Sequence, residues 1–115
     1  MNILSSFLSK TKDLLDLDNS EFENLAKQEN VIVLDVRTKE ENFEKRIPNS
    51  ILIDIYEPDF SGKIEKLERD KTYLVYCRSG VRSKNACNLM KELGFENVYN
   101  LKGGIIAWRG KSEQG

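Results

Sequence analysis

The sequence predicts an α/β domain: a central, mostly parallel β-sheet with helices on both faces. VIVLDV (31–36), ILIDI (51–55) and TYLVY (72–76) are short, nearly continuous runs of β-branched and aromatic residues, the pattern of strands covered on both sides. Stretches with helical spacing lie between and after them, and strands alternating with helices imply parallel pairing through crossovers. A chain of 115 residues has room for one core and not for two.

The elements follow in order. Ile3, Leu4, Phe7, Leu8, Leu14 and Leu15 fall near a helical period, so residues 1–19 are expected to form an amphipathic segment. Only Lys10 and Lys12 give it positive charge, which favours packing on the domain over a membrane surface. The domain proper is expected over residues 20–110. Ser20 with Glu23 fits a capping box, opening a short helix through Phe22, Leu25 and Ala26. After the strand at 31–36, EENFEKR (40–46) is helical or turn-like and stops at Ile47-Pro48. The strand at 51–55 is followed by a loop through Pro58 and Gly62, a helical stretch from Ile64 to Leu67, and the strand at 72–76. Ala86, Leu89, Met90 and Leu93 keep i, i+3, i+4, i+7 spacing and Gly94 suits a C-cap, which predicts a helix from Arg82 to Leu93. NVYNL (97–101) is a last strand, KGGIIAWRG a turn and short helix, and residues 111–115 a polar tail.

Composition excludes several classes. Hydrophobic residues at 39% and charged residues at 32% describe an ordinary globular protein. There is no histidine, which removes the usual zinc sites and every Cys-His or Ser-His catalytic pair, and neither metal nor cofactor is expected. The opening MNILSSFLSKTK lacks a basic n-region and is interrupted too soon for a signal peptide or a spanning helix. A reducing cytoplasm is therefore expected, with Cys77 and Cys87 as free thiols. Residues 1–30 carry three Lys/Arg against six Asp/Glu, whereas residues 71–115 carry eight against three. That basic excess suits either a solvated surface or an anion site and is too small to indicate nucleic acid.

The basic part holds YCRSGVRS (76–83), which places Cys77 at the carboxyl end of a strand, where ligands bind in open α/β sheets. Arg78, Ser79, Gly80 and Val81 would form a loop leading into a helix near Arg82. Such a turn aims backbone N–H groups and the helix dipole at one point, and Gly80 permits the necessary curl. A thiol of ordinary pKa about 8.5 is only roughly 3% thiolate at pH 7, and lowering it by about two units costs ~2.7 kcal/mol of differential interaction. N–H donors and guanidinium groups suffice for that without histidine. The alternatives are structural: Cys77 as a small buried hydrophobe, Arg78 and Arg82 as surface arginines, Ser83 as a helix cap. Cys87, mid-helix, is expected to be structural.

Taken together, LDVR (34–37), the glutamates and Phe43 after it, IPNSILI (47–53), CRSGVRS, the helix ending in LGF, and NVYNLKGGIIAW (97–108) resemble the single-domain rhodanese-like sulfurtransferases in order and spacing, over about residues 20–110. The resemblance implies that fold, with Cys77 as nucleophile. It implies that the backbone N–H groups of Arg78, Ser79, Gly80, Val81 and Arg82 form an anion cradle, the arginine side chains helping to hold an anionic sulfur donor. Asp35 and Arg37 would support the loop from the neighbouring strand end, with Ser83, and Trp108 would pack beneath or beside it. The implied reaction moves a sulfane sulfur from a donor such as thiosulfate, through a Cys77 persulfide, to a thiol or cyanide, or to a sulfur-accepting protein. Lys45-Arg46 and Asn49-Ser50 stand where that family often has glycine-histidine and glycine-alanine.

Two other readings are set beside this. One is a rhodanese module that only carries persulfide for a partner or binds one. The other is a cysteine phosphatase or arsenate reductase, which needs five residues between cysteine and arginine; here Arg82 follows Cys77 after four. No nucleic-acid or membrane partner is expected.

Overall fold

The computed structural model describes residues 14–115. Its centre is a five-stranded sheet in the order β1-β5-β4-β2-β3. The strands are β1 (Asp16–Leu17), β2 (Val31–Asp35), β3 (Ile51–Leu52), β4 (Thr72–Tyr76) and β5 (Val98–Leu101). Every neighbouring pair is parallel. Between them run the helices α1 (Asn19–Ala26), α2 (Lys39–Glu44), α3 (Phe60–Glu65) and α4 (Val81–Glu92), and a 3-10 turn at Ile105–Ala107 follows β5.

Strand periodicity sorts the core into two layers. On one face Tyr73 and Val75 pack with Val36 and Val98 against Phe60 and Ile64 of α3 and Ala86, Cys87 and Met90 of α4. On the other, Leu74 and Tyr76 join Val33 and Leu101 against Phe22 of α1, Ile105 and Trp108. Both faces of β4 are thus covered, which is why its sequence is apolar throughout and not alternating. Cys87 is fully buried in the first layer. Gly94, with φ +97°, ends α4 as its spacing implies.

The structure differs from the sequence reading at several element ends. Residues 1–13 of the expected N-terminal helix lie outside the described residues, while Leu14 and Leu15 form a turn and Asp16–Leu17 a strand of the sheet, paired with Asn100 and Leu101. A two-residue strand has no periodicity to read. The first helix is capped by Asp18 and not Ser20: the Asp18 carboxylate accepts from the Glu21 N–H at 2.8 Å and Glu21 accepts from the Asp18 N–H at 2.9 Å. Asp18-Glu21 and Ser20-Glu23 are overlapping boxes, and the carboxylate cap gains from the helix dipole as well as from its hydrogen bond. The 51–55 run forms a strand only at Ile51–Leu52; past them Ile53 and Ile55 still donate to the carbonyls of Asp35 and Val36. The next helix spans Phe60–Glu65, earlier than Ile64–Leu67, because Phe60 and Ile64, one turn apart, both insert into the core. The polar tail folds back, Glu113 pairing with Arg46 in an antiparallel bridge of two 2.9 Å hydrogen bonds.

Candidate active site

The strand alternation that sends Tyr73 and Val75 to the α4 side sends Cys77 there too, one residue past the end of β4. Gly80 then takes the left-handed conformation, φ +102°, and α4 begins at the next residue. The loop arches over the thiol, leaving it 1% exposed. Its sulfur accepts three hydrogen bonds: from the Gly80 N–H at 3.1 Å, the Ser83 N–H at 3.4 Å and the Ser83 hydroxyl at 3.3 Å. Burial opposes ionisation of the thiol, but the Ser83 hydroxyl and the N–H groups of Ser83, Gly80 and Ser79 outweigh it and draw Cys77 below the ordinary thiol range. Of the five N–H groups expected to form the cradle, that of Gly80 lies within hydrogen-bond distance of the sulfur, and Ser83, expected only as loop support, supplies the other two donors.

A second layer of backbone holds the loop from behind. The N–H groups of Ile105 and Ile106 donate to the carbonyls of Cys77 at 2.9 Å and Arg78 at 3.1 Å. Gly104, with φ +66°, makes this approach feasible, since a β-carbon there would collide with the Arg78 carbonyl. The turn is anchored by Trp108, which meets Phe22 edge to face at 5.7 Å and donates from Nε1 to the Lys111 carbonyl at 2.8 Å. Asn19 at the start of α1 ties down the same turn through Ala107 and Arg109. Trp108 thus acts on the loop through the Ile105 turn.

Asp35 and Arg37 stand one step behind the loop. Arg37 grips Asp35 with Nε and Nη2 at 2.9 and 2.8 Å, both residues buried. Asn42 and the Tyr76 hydroxyl also donate to Asp35, at 2.9 and 3.0 Å, and Arg37 reaches the Lys45 carbonyl at 2.6 Å. The Tyr76 hydroxyl accepts from the Ile47 N–H at 3.1 Å. Burial, with the Asp35 carboxylate alongside, pushes that phenol up to about 12, so it stays a donor. These residues fix Tyr76, and with it the strand end from which Cys77 projects.

The two arginines part company. Arg82 forms a two-pronged pair with Glu41 of α2, both contacts 2.9 Å, and lies 5.6 Å from the Tyr56 ring centre. Glu41 is drawn down to about 2, chiefly by that guanidinium, and Arg82 is raised by the same pairing. Its charge faces α2 and is already neutralised. Arg78 is exposed and pairs with no group among the described residues. With Arg37, Glu41, Glu44, Lys45, Ile105 and Ile106 it lines a depression of about 280 Å³ beside the loop. Val81, also exposed, contributes its place in the arch and no polar side-chain group.

Sequence reasoning passed over Glu41, Tyr76, Asn100 and Gly104. Thr38 and Glu41 do show a capping-box pattern, and the structure forms that box at α2, but nothing local marks Glu41 as the partner of Arg82. Asn100, a lone polar residue in an otherwise apolar strand, carried a legible signal. It is buried and bonded to the Ser83 hydroxyl. Among the described residues no group of His, Cys, Asp and Glu is placed to hold a metal ion, and no helix is long and apolar enough to cross a membrane.

A cysteine under an N–H-lined arch at the carboxyl edge of a parallel sheet suits an anion-handling thiolate, and the comparison with known families places it: the chain belongs to the rhodanese-like domain family, whose model matches residues 18–111. Among similar proteins, YtwF of Bacillus subtilis is 40% identical over 91 residues, 79% of this chain and 85% of that protein. The thiosulfate sulfurtransferase GlpE of Coxiella burnetii is 31% identical over 86 residues, 74% of this chain and 78% of its own. The crystal structure of a rhodanese-related protein from Thermoplasma volcanium superimposes with a TM-score of 0.72 at 35% identity, covering 81% of this chain and 88% of that one.

Proposed function

We propose that this protein is a sulfurtransferase that moves a sulfane sulfur from a small anionic donor such as thiosulfate to a thiol or cyanide, with Cys77 as nucleophile. The observation that carries this is the Cys77 sulfur itself, met by three hydrogen-bond donors under an arch that excludes bulk water. In the first half-reaction the Cys77 thiolate attacks the outer sulfur of thiosulfate, the donor's S–S bond breaks, and sulfite leaves with the bonding pair. In the second, an acceptor thiolate or cyanide attacks the outer sulfur of the Cys77 persulfide and the thiolate is regenerated. Each half-reaction is a two-electron displacement and needs no external oxidant.

The residues present have distinct parts in this. The N–H groups of Gly80 and Ser83 hold the sulfur in its anionic forms with donors already in place. Arg78, the unpaired guanidinium on the arch, meets the donor's sulfonate oxygens. Arg82, clamped by Glu41, shapes the rim, and Asp35, Arg37 and Trp108 hold the loop through Tyr76 and the Ile105 turn. The similarity to a protein named thiosulfate sulfurtransferase supports the choice of donor. The two free thiols, Cys77 and Cys87, fit a reducing cytoplasm.

The test is thiocyanate formation from thiosulfate and cyanide. The parent is expected to turn over with saturation in thiosulfate, and Cys77→Ser to fall to background. Full activity in that variant would refute the assignment.

A further inference from the structure

Asn100 lies at the centre of β5, buried, directly behind the arch. Its amide orientation is fixed by its neighbours: Nδ2 donates to Asp16 Oδ1 at 3.0 Å and to the Gly80 carbonyl at 3.3 Å. Both partners are acceptors, so nitrogen must face them and Oδ1 must face Ser83. The Ser83 hydroxyl bonds to that oxygen and also lies 3.3 Å from the Cys77 sulfur. A hydroxyl has one hydrogen, and here it has two acceptors.

We propose that Asn100 is a positioning residue of this site, competing with the Cys77 sulfur for the single proton of the Ser83 hydroxyl. The proposal rests on the reading of Cys77 as the reacting sulfur. While Cys77 is a neutral thiol, its S–H donates to Ser83 Oγ and Ser83 donates to Asn100, so the chain is complete. When the Cys77 sulfur is a thiolate, the hydroxyl turns to it and Asn100 Oδ1 loses its donor. Ser83 is thus a two-position donor. Asn100 makes the charged sulfur less stable than the arch alone would, which leaves it a more reactive nucleophile than a fully satisfied thiolate.

The charged groups around this chain are Asp16 on β1 and Lys84 on α4, paired at 3.0 Å beyond Asn100, the Arg82–Glu41 pair on the α2 side, and Arg78 on the arch. Asn100→Val removes the amide donor from Asp16 equally in both backgrounds, so that effect cancels in the cycle, and the other charged groups are untouched by either substitution.

The experiment is a double-mutant cycle on Asn100→Val, which suits a strand, and Ser83→Ala. It is read as the pH dependence of Cys77 alkylation by iodoacetamide, located by peptide mass, with folding checked by circular dichroism. Alone, Asn100→Val is expected to lower the apparent pKa of Cys77 by about one pH unit, the size of one neutral hydrogen bond. Ser83→Ala is expected to raise it, and adding Asn100→Val to Ser83→Ala to change it by less than about a fifth of that amount, since the competition needs the hydroxyl. An equal shift in both backgrounds, no shift, or a rise on Asn100→Val alone overturns the proposal. Should Asn100→Val fail to fold, Asn100→Ala carries the same expectations. The readout uses no sulfur donor, so a protein that shows this coupling but forms no persulfide would refute the sulfurtransferase reading and leave the Asn100 assignment standing.

Discussion

Replacing Glu41 by Gln tests the pairing that occupies Arg82. Gln keeps the size of the side chain and an oxygen able to accept from the Thr38 N–H, so the capping box of α2 survives while the charge and one of the two acceptors for Arg82 are lost. A carboxyl drawn from 4.5 to about 2 is tied to the folded state by at most ~3 kcal/mol. The Arg82 and Glu41 side chains are 20% and 27% exposed, and solvent screening reduces that to about 1–2 kcal/mol. Because Glu41 titrates lower in the fold than in the unfolded chain, its contribution is complete above pH 4.5 and fades as pH falls toward 2. Urea unfolding of the parent and Glu41→Gln should thus differ by about 1–2 kcal/mol at pH 7, with equal m-values, and by roughly half as much near pH 3. A difference below about 0.3 kcal/mol at pH 7, or one that does not change with pH, would refute the pairing.

Other substitutions probe the loop and its pocket. Gly104→Ala should lower the melting temperature and slow Cys77 alkylation, because the methyl group displaces the Arg78 carbonyl; unchanged values in thermal melts and alkylation would contradict the close approach. Arg78→Ala should raise KM for thiosulfate about tenfold and change kcat less than about threefold, as expected for loss of one exposed ionic contact in binding. The opposite split, in steady-state kinetics, would place Arg78 in the chemical step. In the parent, kcat/KM for thiosulfate should rise with pH through an apparent pKa below the ordinary thiol value and then level off, since Cys77 is drawn down and the attacking form is the thiolate. An inflection at or above the ordinary value would show that the arch does not activate the sulfur.

The parallel sheet and the position of Cys77 were legible because both are local: runs such as VIVLDV and TYLVY state their burial in their own composition, and CRSGVRS is a contiguous loop whose glycine fixes its curl. What escaped is set across the fold. Asp16–Leu17 becomes a strand only because β5 offers an edge to pair with. Ser83 looked like a simple cap, yet its hydroxyl lies between Cys77 and an asparagine 17 positions along the chain. Arg82 looked like an anion ligand until α2 brought Glu41 to it from 41 positions away. Charge partners at such separations leave no mark in spacing or periodicity, and here one of them pairs Arg82 while Arg78 stays exposed.

The central claim is that Cys77 carries the transferred sulfur. It is tested most directly by the intact mass of the reduced protein and of Cys77→Ser after incubation with thiosulfate, with sulfite assayed in the same tube. One added sulfur atom is expected on the parent alone, with sulfite released in equal amount. An unmodified, folded parent with no sulfite, or the same adduct on Cys77→Ser, would contradict it.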